Sequence, residues 1–370
     1  MPSFTLTKKQ TGGIVGLDIE AGSIAAAEVA VNGSAQVTAS AIGSLDPGAF
    51  HEGEVLDTNR LSAALKELFT EHKLSKRVRL GIANQKVVVR TIRLPAIEDP
   101  KEMEAAVRFQ AQEQIPMPLD QAVLEHQVVG GVAAQEGGSA QIDVVVVAAR
   151  RDMVASFVEP LRRAGLEPVG VDLSAFGMIR ALAGSGDLAP SGQAEADGTE
   201  AAEQHPPGAV LYCSLGGVTN LAVARGDACL FTRVSHAGLE TISASLVSVS
   251  GISPEHAAQW LSHVGLEALP EQVEGDAETV AAARRSLEDG VTAVIDEMRL
   301  SLDYYGAQEG ALPVERVVLC GPGSVIPGLV ARMEAALGLP LAAARPPMLA
   351  GFDEPAAARL TLPLGLALEE

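Results

Sequence analysis

The sequence predicts a two-lobed α/β protein with a smaller α+β unit inserted in its first lobe. Two observations lead there. A strand, a small-residue turn and two further strands occupy Gly12–Ile42, and the same order returns in "AVLYCSLGGVTNLAVARGDACLFTRVS" from Ala209. A recurring supersecondary unit of this kind marks an internal duplication, hence two related halves. Between them lies a block of different pattern, about residues 79–165, which reads as a hairpin, a helix and a strand. With 370 residues and 47% hydrophobic composition, the chain is long enough for two or three cores.

The elements follow in order. "GIVGLDIEAGSIAAAEV" is an apolar strand, a turn around Asp18, Gly22 and Ser23, and a second apolar strand; a third lies near Ala35–Ile42. Leu61, Leu65 and Leu68 recur at helical spacing, which predicts a helix over Thr58–His72. "RVRLGIA" and "KVVVRTIRL" alternate apolar and polar residues around "ANQK" and read as a hairpin. The next helix is well marked. Asp99 caps it, Pro100 suits its first position, Glu102 follows three after the cap, and "IPMP" stops it. Met103, Ala106, Val107, Gln110 and Ala111 share one face. "IDVVVVAAR" is a strand, Arg151–Ala164 a helix, and "GLEPVGVDLSAFGMIRAL" a strand and helix.

Gly184–Gly208 holds Pro, Gly, Ser and five acidic residues without Lys or Arg, a composition that cannot offset ordering entropy; a disordered acidic linker is expected. The second half follows, with helices between Gly238 and Tyr305, then a buried strand, glycine turn and helix in "VERVVLCGPGSVIPGLVARMEAALGLP", and "RLTLPLGLALEE" last. The expected division is a first lobe at 12–78 with 166–183, an inserted subdomain at 79–165, and a linker at 184–208. The second lobe takes 209–237 and 312–370, with a helical subdomain at 238–311; the end of the chain is a candidate to return to the first lobe.

Charge and cysteine content exclude several functions. With 27 Lys and Arg against 47 Asp and Glu, the net charge is -20, which repels nucleic acid and anionic lipid and attracts a basic partner segment. Three cysteines without a CxxC pair suit a reducing, cytoplasmic setting. No stretch reaches the roughly 20 apolar residues of a membrane span, and "MPSFTLTKKQTGG" lacks the apolar core of a signal peptide. No direct membrane insertion is expected.

Three small-residue turns follow strands: Ala21–Ser23, Leu215–Gly217 and Gly321–Ser324. Backbone amides in such turns can cradle phosphate. An aspartate at a strand end beside one of them, Asp18, is where a carboxylate would face a cation or a phosphate. His256, Trp260 and His263 share a helical face without a third ligand, so packing or surface positions are expected. Cys213 has apolar flanks and reads as buried and inert; Asp172 fits either a cleft position or a helix cap.

These motifs resemble the actin-like (ribonuclease H-like) ATPase superfamily, and within it the PilM family of type IV pilus assembly proteins, relatives of the division protein FtsA. "VGLDIEAGSIAAAEV" is similar to the first phosphate motif and "VTNLAVARG" lies where the second belongs. "ERVVLCGPGSVIPGL" is similar to the adenosine motif. The most specific match is "VVVRTIRLPAIEDPKEMEAAVRFQAQEQIPMPLDQAVLEHQVV", similar to the family's inserted FtsA-like (SHS2) subdomain.

The resemblance implies a nucleotide site at Asp18, Gly22, Ser23, Gly216, Gly217, Thr219, Gly321, Gly323 and Ser324, for ATP or ADP with Mg. Departures from the motifs imply that binding is weak and turnover negligible. Glu20 and Ala25 stand at the family's usual glycine and lysine, and the second-motif aspartate and glycine align with Cys213 and Leu215. No catalytic or metal-ligating set is therefore expected. The resemblance further implies a cytoplasmic scaffold peripheral to the inner face of the plasma membrane. It would dock the cytoplasmic N-terminal tail of a PilN-like membrane protein, beside other pilus inner-membrane and motor components. Arg90, Ile92, Leu94, Val107, Phe109 and Ile115, in the groove between inserted subdomain and first lobe, are the candidate contacts. The alternatives are an active ATPase of the same fold, which needs a second aspartate, and an FtsA-like division protein. "LGLALEE" is too short and too poor in cations for the latter's amphipathic anchor.

Overall fold

A computed structural model describes residues 13–32, 34–132, 140–183, 208–308 and 310–368. The expected linker at 184–208 lies, except for Gly208, outside the described residues. Two five-stranded sheets repeat one topology. In the first, β1 (Ile14–Glu20), β2 (Ser23–Asn32) and β3 (Ser34–Ser44) form an antiparallel meander. β6 (Arg77–Ile82) and β10 (Glu167–Leu173) then add in parallel on the other side of β1. In the second, β11 (Ala209–Leu215), β12 (Thr219–Arg225) and β13 (Ala228–Ser235) form the meander, and β14 (Val314–Cys320) and β15 (Leu341–Ala343) the parallel side. The strands nearest each centre are buried on both faces and so read as near-continuous apolar runs.

Helix α1 (Thr58–Glu71) covers the first sheet with Leu61, Leu65 and Leu68, capped by Asp57, which accepts from the amides of Asn59 and Arg60. A small hairpin, β4 (Phe50–His51) and β5 (Glu54–Val55), precedes it. Helix α3 (Arg151–Arg163) packs Phe157 and Leu161 into the same core. The inserted sheet is β7 (Val88–Pro95), β8 (Ala122–Val132) and β9 (Gln141–Arg150), ordered β7-β9-β8 and covered by α2 (Pro100–Gln114). Asp99 caps α2 by accepting from the amides of Lys101 and Glu102.

Two sequence expectations are corrected here. β6 and β7 are not a hairpin: β6 pairs with β1 and β10, while β7 pairs with β9. Val78, Leu80 and Ile82 are buried in the first core and hold β6 there. The following loop is fixed by Asn84, whose amide donates to the Gly53 carbonyl at 2.8 Å, and it sends β7 outward. With β6 and α3 in the first core, the inserted unit narrows from 79–165 to 88–150.

The second sheet is covered by α5 (Leu239–Ser250), α6 (Pro254–Val264) and the thirty-residue α7 (Ala277–Gly306) on one face. Helix α8 (Leu329–Leu337) adds Leu329 and Met333 to that core. Two helices sit between the sheets. α4 (Ser174–Leu182) lays Met178, Ile179 and Leu182 on the second sheet, and α9 (Glu354–Ala367) lays Leu360 and Leu364 on the first. They cross closely: a Cβ on Gly365 would lie 1.7 Å from the Gly177 carbonyl oxygen, so only glycine fits. This crossing joins the lobes at their base.

Candidate functional site

Above that crossing the turns after β1, β11 and β14 converge on the cleft between the lobes. Strand alternation decides what reaches it. On β1, Val15, Leu17 and Ile19 face the first core, so Asp18 and Glu20 face the cleft. On β11, Leu211, Cys213 and Leu215 face the second core, so Ser214 is the cleft residue. This corrects the alignment made from sequence: Ser214, not Cys213, holds the position related to Asp18 by the duplication. A one-residue slip along a strand exchanges its faces. Cys213 is buried in apolar surroundings, which pushes its thiol well up and leaves it inert.

Several polar groups of the predicted nucleotide residues are engaged within the chain. Gly22, at positive φ, accepts from the Leu45 amide at 2.9 Å. Ser23 accepts from the Arg359 guanidinium, and Thr219 donates to the Ala237 carbonyl at 2.5 Å. Ser324 donates to the Gly321 carbonyl at 2.7 Å, and Gly323 is packed under Leu215. The first amides of α5 are used as well. Leu239 N–H donates to Gly216 at 2.8 Å and Glu240 N–H to Gly217 at 3.2 Å. What fills the cradle is a side chain. Glu20 lies so close to Gly216 that a Cβ there would be 1.7 Å from its Oε1.

Electrostatics are acidic and desolvated. Burial, then the charge of Glu20, pushes the Asp18 carboxyl up to about 8, against the pull of the Ser174 hydroxyl, 3.5 Å away, and of Arg359. Burial also raises Glu20, opposed by Arg359 and by the Gly217 amide. At neutral pH the raised Asp18 carboxyl therefore keeps its proton, beside the charge of Glu20 and the Arg359 guanidinium. Two voids border Asp18, of about 10 and 20 Å³. A single water needs ~10–15 Å³. Neither void as it stands has room for a phosphate chain, and among the described residues no group of three or more His, Cys, Asp or Glu is placed to hold a metal.

At the cleft mouth the β4–β5 hairpin reaches the second lobe. Glu240 binds His51 Nδ1 at 2.5 Å and accepts from the Glu52 amide at 3.1 Å, and Glu52 lies 3.4 Å from His236 Nδ1. Other candidates resolve simply. Asp172 pairs with Arg180 on α4, without capping that helix. His263 binds the Glu274 carbonyl at 2.8 Å and stacks edge-on against Trp260.

A roomier space lies elsewhere, a cavity of about 390 Å³ where β7 meets the second lobe. Val88 and Arg90 of β7, Thr232 of β13, Ala175 of α4 and Tyr304 of α7 line it. Among the described residues, β7 and β13 are edge strands of their sheets, each with one side unpaired. Asn220 lines both this cavity and the cleft void, and its buried Nδ2 has no hydrogen-bond partner among the described residues. Of the candidate docking residues, Arg90 and Phe109 are exposed, whereas Ile92, Leu94, Val107 and Ile115 form the inserted unit's own core beneath α2. Ser214, Arg359, Glu240 and Asn220 escaped the sequence reading; for Ser214 the available signal was the alternation of Leu211, Cys213 and Leu215.

A family model described as type IV pilus assembly protein PilM matches residues 16–350. Among solved structures, the chain is similar to one described as the PilM-PilN type IV pilus biogenesis complex, at 25% identity over 96% of this chain and 98% of that one, with a TM-score of 0.74. It is also similar to the ethanolamine utilization protein EutJ of Carboxydothermus hydrogenoformans (14% identity, 95% and 88% coverage, TM-score 0.50). A third is MreB 5 of Spiroplasma citri bound to AMPPNP (12%, 96% and 95%, 0.51). The last two share the fold alone. The two-lobed architecture is the actin-like ATPase fold expected from the sequence.

Proposed function

Because the chain belongs to the PilM family of type IV pilus assembly proteins, we propose that it is an actin-like scaffold which docks the cytoplasmic N-terminal tail of a PilN-like membrane protein. The observation that carries this reading is the 390 Å³ cavity between two unpaired strand edges. An extended segment can pair with a free strand edge while alternate side chains enter a pocket beside it. The unpartnered Asn220 Nδ2 is then available to a backbone carbonyl of the guest. A net charge of -20 attracts the basic residues that flank membrane anchors on their cytoplasmic side. Among the described residues no helix is long and apolar enough to cross a membrane. The protein would thus be held at the inner face of the plasma membrane through its partner.

The interlobe cleft serves this scaffold as structure, with ATP or ADP bound weakly and no meaningful turnover. Ser214 offers no second carboxylate for a metal, and Glu20 puts negative charge where phosphate would lie. The test is a fluorescence titration of a labelled peptide, about the first twelve residues of the pilus membrane partner. Thr232→Trp, which fills the cavity, is expected to weaken binding about tenfold or more. Unchanged affinity in a folded Thr232→Trp protein overturns the assignment.

A further inference from the structure

We propose that Glu20 is a built-in anion: its carboxylate sits in the cradle of the Gly216–Gly217 turn and pins the first lobe to the second without a ligand. The inference deepens the reading of the cleft as a site without turnover, and rests on it. Glu20 extends from the end of β1, in the first lobe, across to the β11–β12 turn of the second. Its Oε1 occupies the space directly over Gly216, where a Cβ would lie only 1.7 Å away. The Gly217 amide acts on the carboxylate as a donor, and Arg359, anchored on Ser23, supplies the compensating positive charge.

A phosphate group asks the same of a glycine turn: close approach, an amide donor and a nearby cation. The chain supplies all three to its own side chain. The first two α5 amides, of Leu239 and Glu240, are already bonded to the Gly216 and Gly217 carbonyls, and the voids left beside Glu20 are about 10 and 20 Å³. Closure at this turn therefore needs no bound nucleotide. A second tie, from Glu240 to His51 and the Glu52 amide, crosses the mouth of the same cleft.

The experiment uses the full chain and two variants. Glu20→Gly removes the anion and vacates the cradle; Glu20→Gln keeps the volume and loses the charge. By hydrogen exchange, the Gly217 amide is expected to exchange about tenfold faster or more in both variants, while amides of the inserted sheet are unchanged. Calorimetry with Mg-ADP and with pyrophosphate is expected to show binding by Glu20→Gly that is at least about tenfold tighter than by the unaltered chain. Equal exchange at Gly217 in Glu20→Gln and the unaltered chain overturns the proposal, as does equal affinity for both probes in Glu20→Gly. If Glu20→Gly does not fold, the Glu20→Gln exchange decides. Steady phosphate release from Mg-ATP by the unaltered chain would instead refute the absence of turnover, so the two failures are separately visible.

Discussion

Replacing Asp18 with asparagine is expected to stabilise the protein, and increasingly so as pH rises from about 4 to about 8. Asp18 is buried, and its carboxyl is pushed from 3.8 up to about 8. The sign follows from proton linkage. Below pH ~4 the carboxyl is protonated in both folded and unfolded chains and costs nothing. Between the two values the unfolded chain has released its proton while the folded chain retains it, so stability falls as pH rises. Above pH ~8 the cost is constant. The ideal slope is about 1.4 kcal/mol per pH unit, or ~4 kcal/mol between pH 5 and 8. Local relaxation and water entry on ionisation reduce this to about 2 kcal/mol. Asparagine carries no such cost and still offers Ser174 a hydrogen-bond partner. Urea denaturation of both proteins at pH 5 and pH 8 reads the difference directly, because other titrating groups cancel between them. An Asp18→Asn protein that is less stable at pH 8, or whose advantage does not change with pH, would mean that Asp18 is ionised and paired in the native state.

Gly365→Ala is expected to cost about 2–4 kcal/mol, seen as a lowered thermal midpoint, because its Cβ would overlap the Gly177 carbonyl at the α4–α9 crossing. His51→Gln should reduce stability by a few tenths of a kcal/mol at pH 6 and leave it unchanged at pH 9. Glu240 raises the His51 value through its hydrogen bond, so that contribution is present below pH ~6.5 and is lost as pH climbs through the folded value. Val107→Asp should unfold the inserted unit, since Val107 is 1% exposed on the buried face of α2, and limited proteolysis should then cut within 88–150 while the two lobes stay intact.

The repeated strand–turn–strand openings were legible because period and turn chemistry are local properties, and so was α2, where Asp99, Pro100 and Glu102 announce a helix start. Pairing was less so. Alternation in "RVRLGIA" and "KVVVRTIRL" shows that each strand buries one face, but not which strand lies beside it. The Cys213–Ser214 correction has the same origin, since strand position fixes chemistry only once the facing core is known. Ile92, Leu94, Val107 and Ile115 carry the apolar pattern of either a core or a docking face, and one sequence cannot separate these. Arg359 binds Ser23 from 336 residues away, a contact that no local signal encodes.

Docking of a pilus membrane-protein tail at the cavity is tested most directly by a hydrogen-exchange footprint on the full chain, with and without a peptide of about the first twelve residues of that partner. Added peptide is expected to slow exchange at residues 84–90 and 231–234, which frame the cavity, and to do so equally with and without Mg-ATP. Protection confined to other surfaces, or none at saturating peptide, would contradict the assignment.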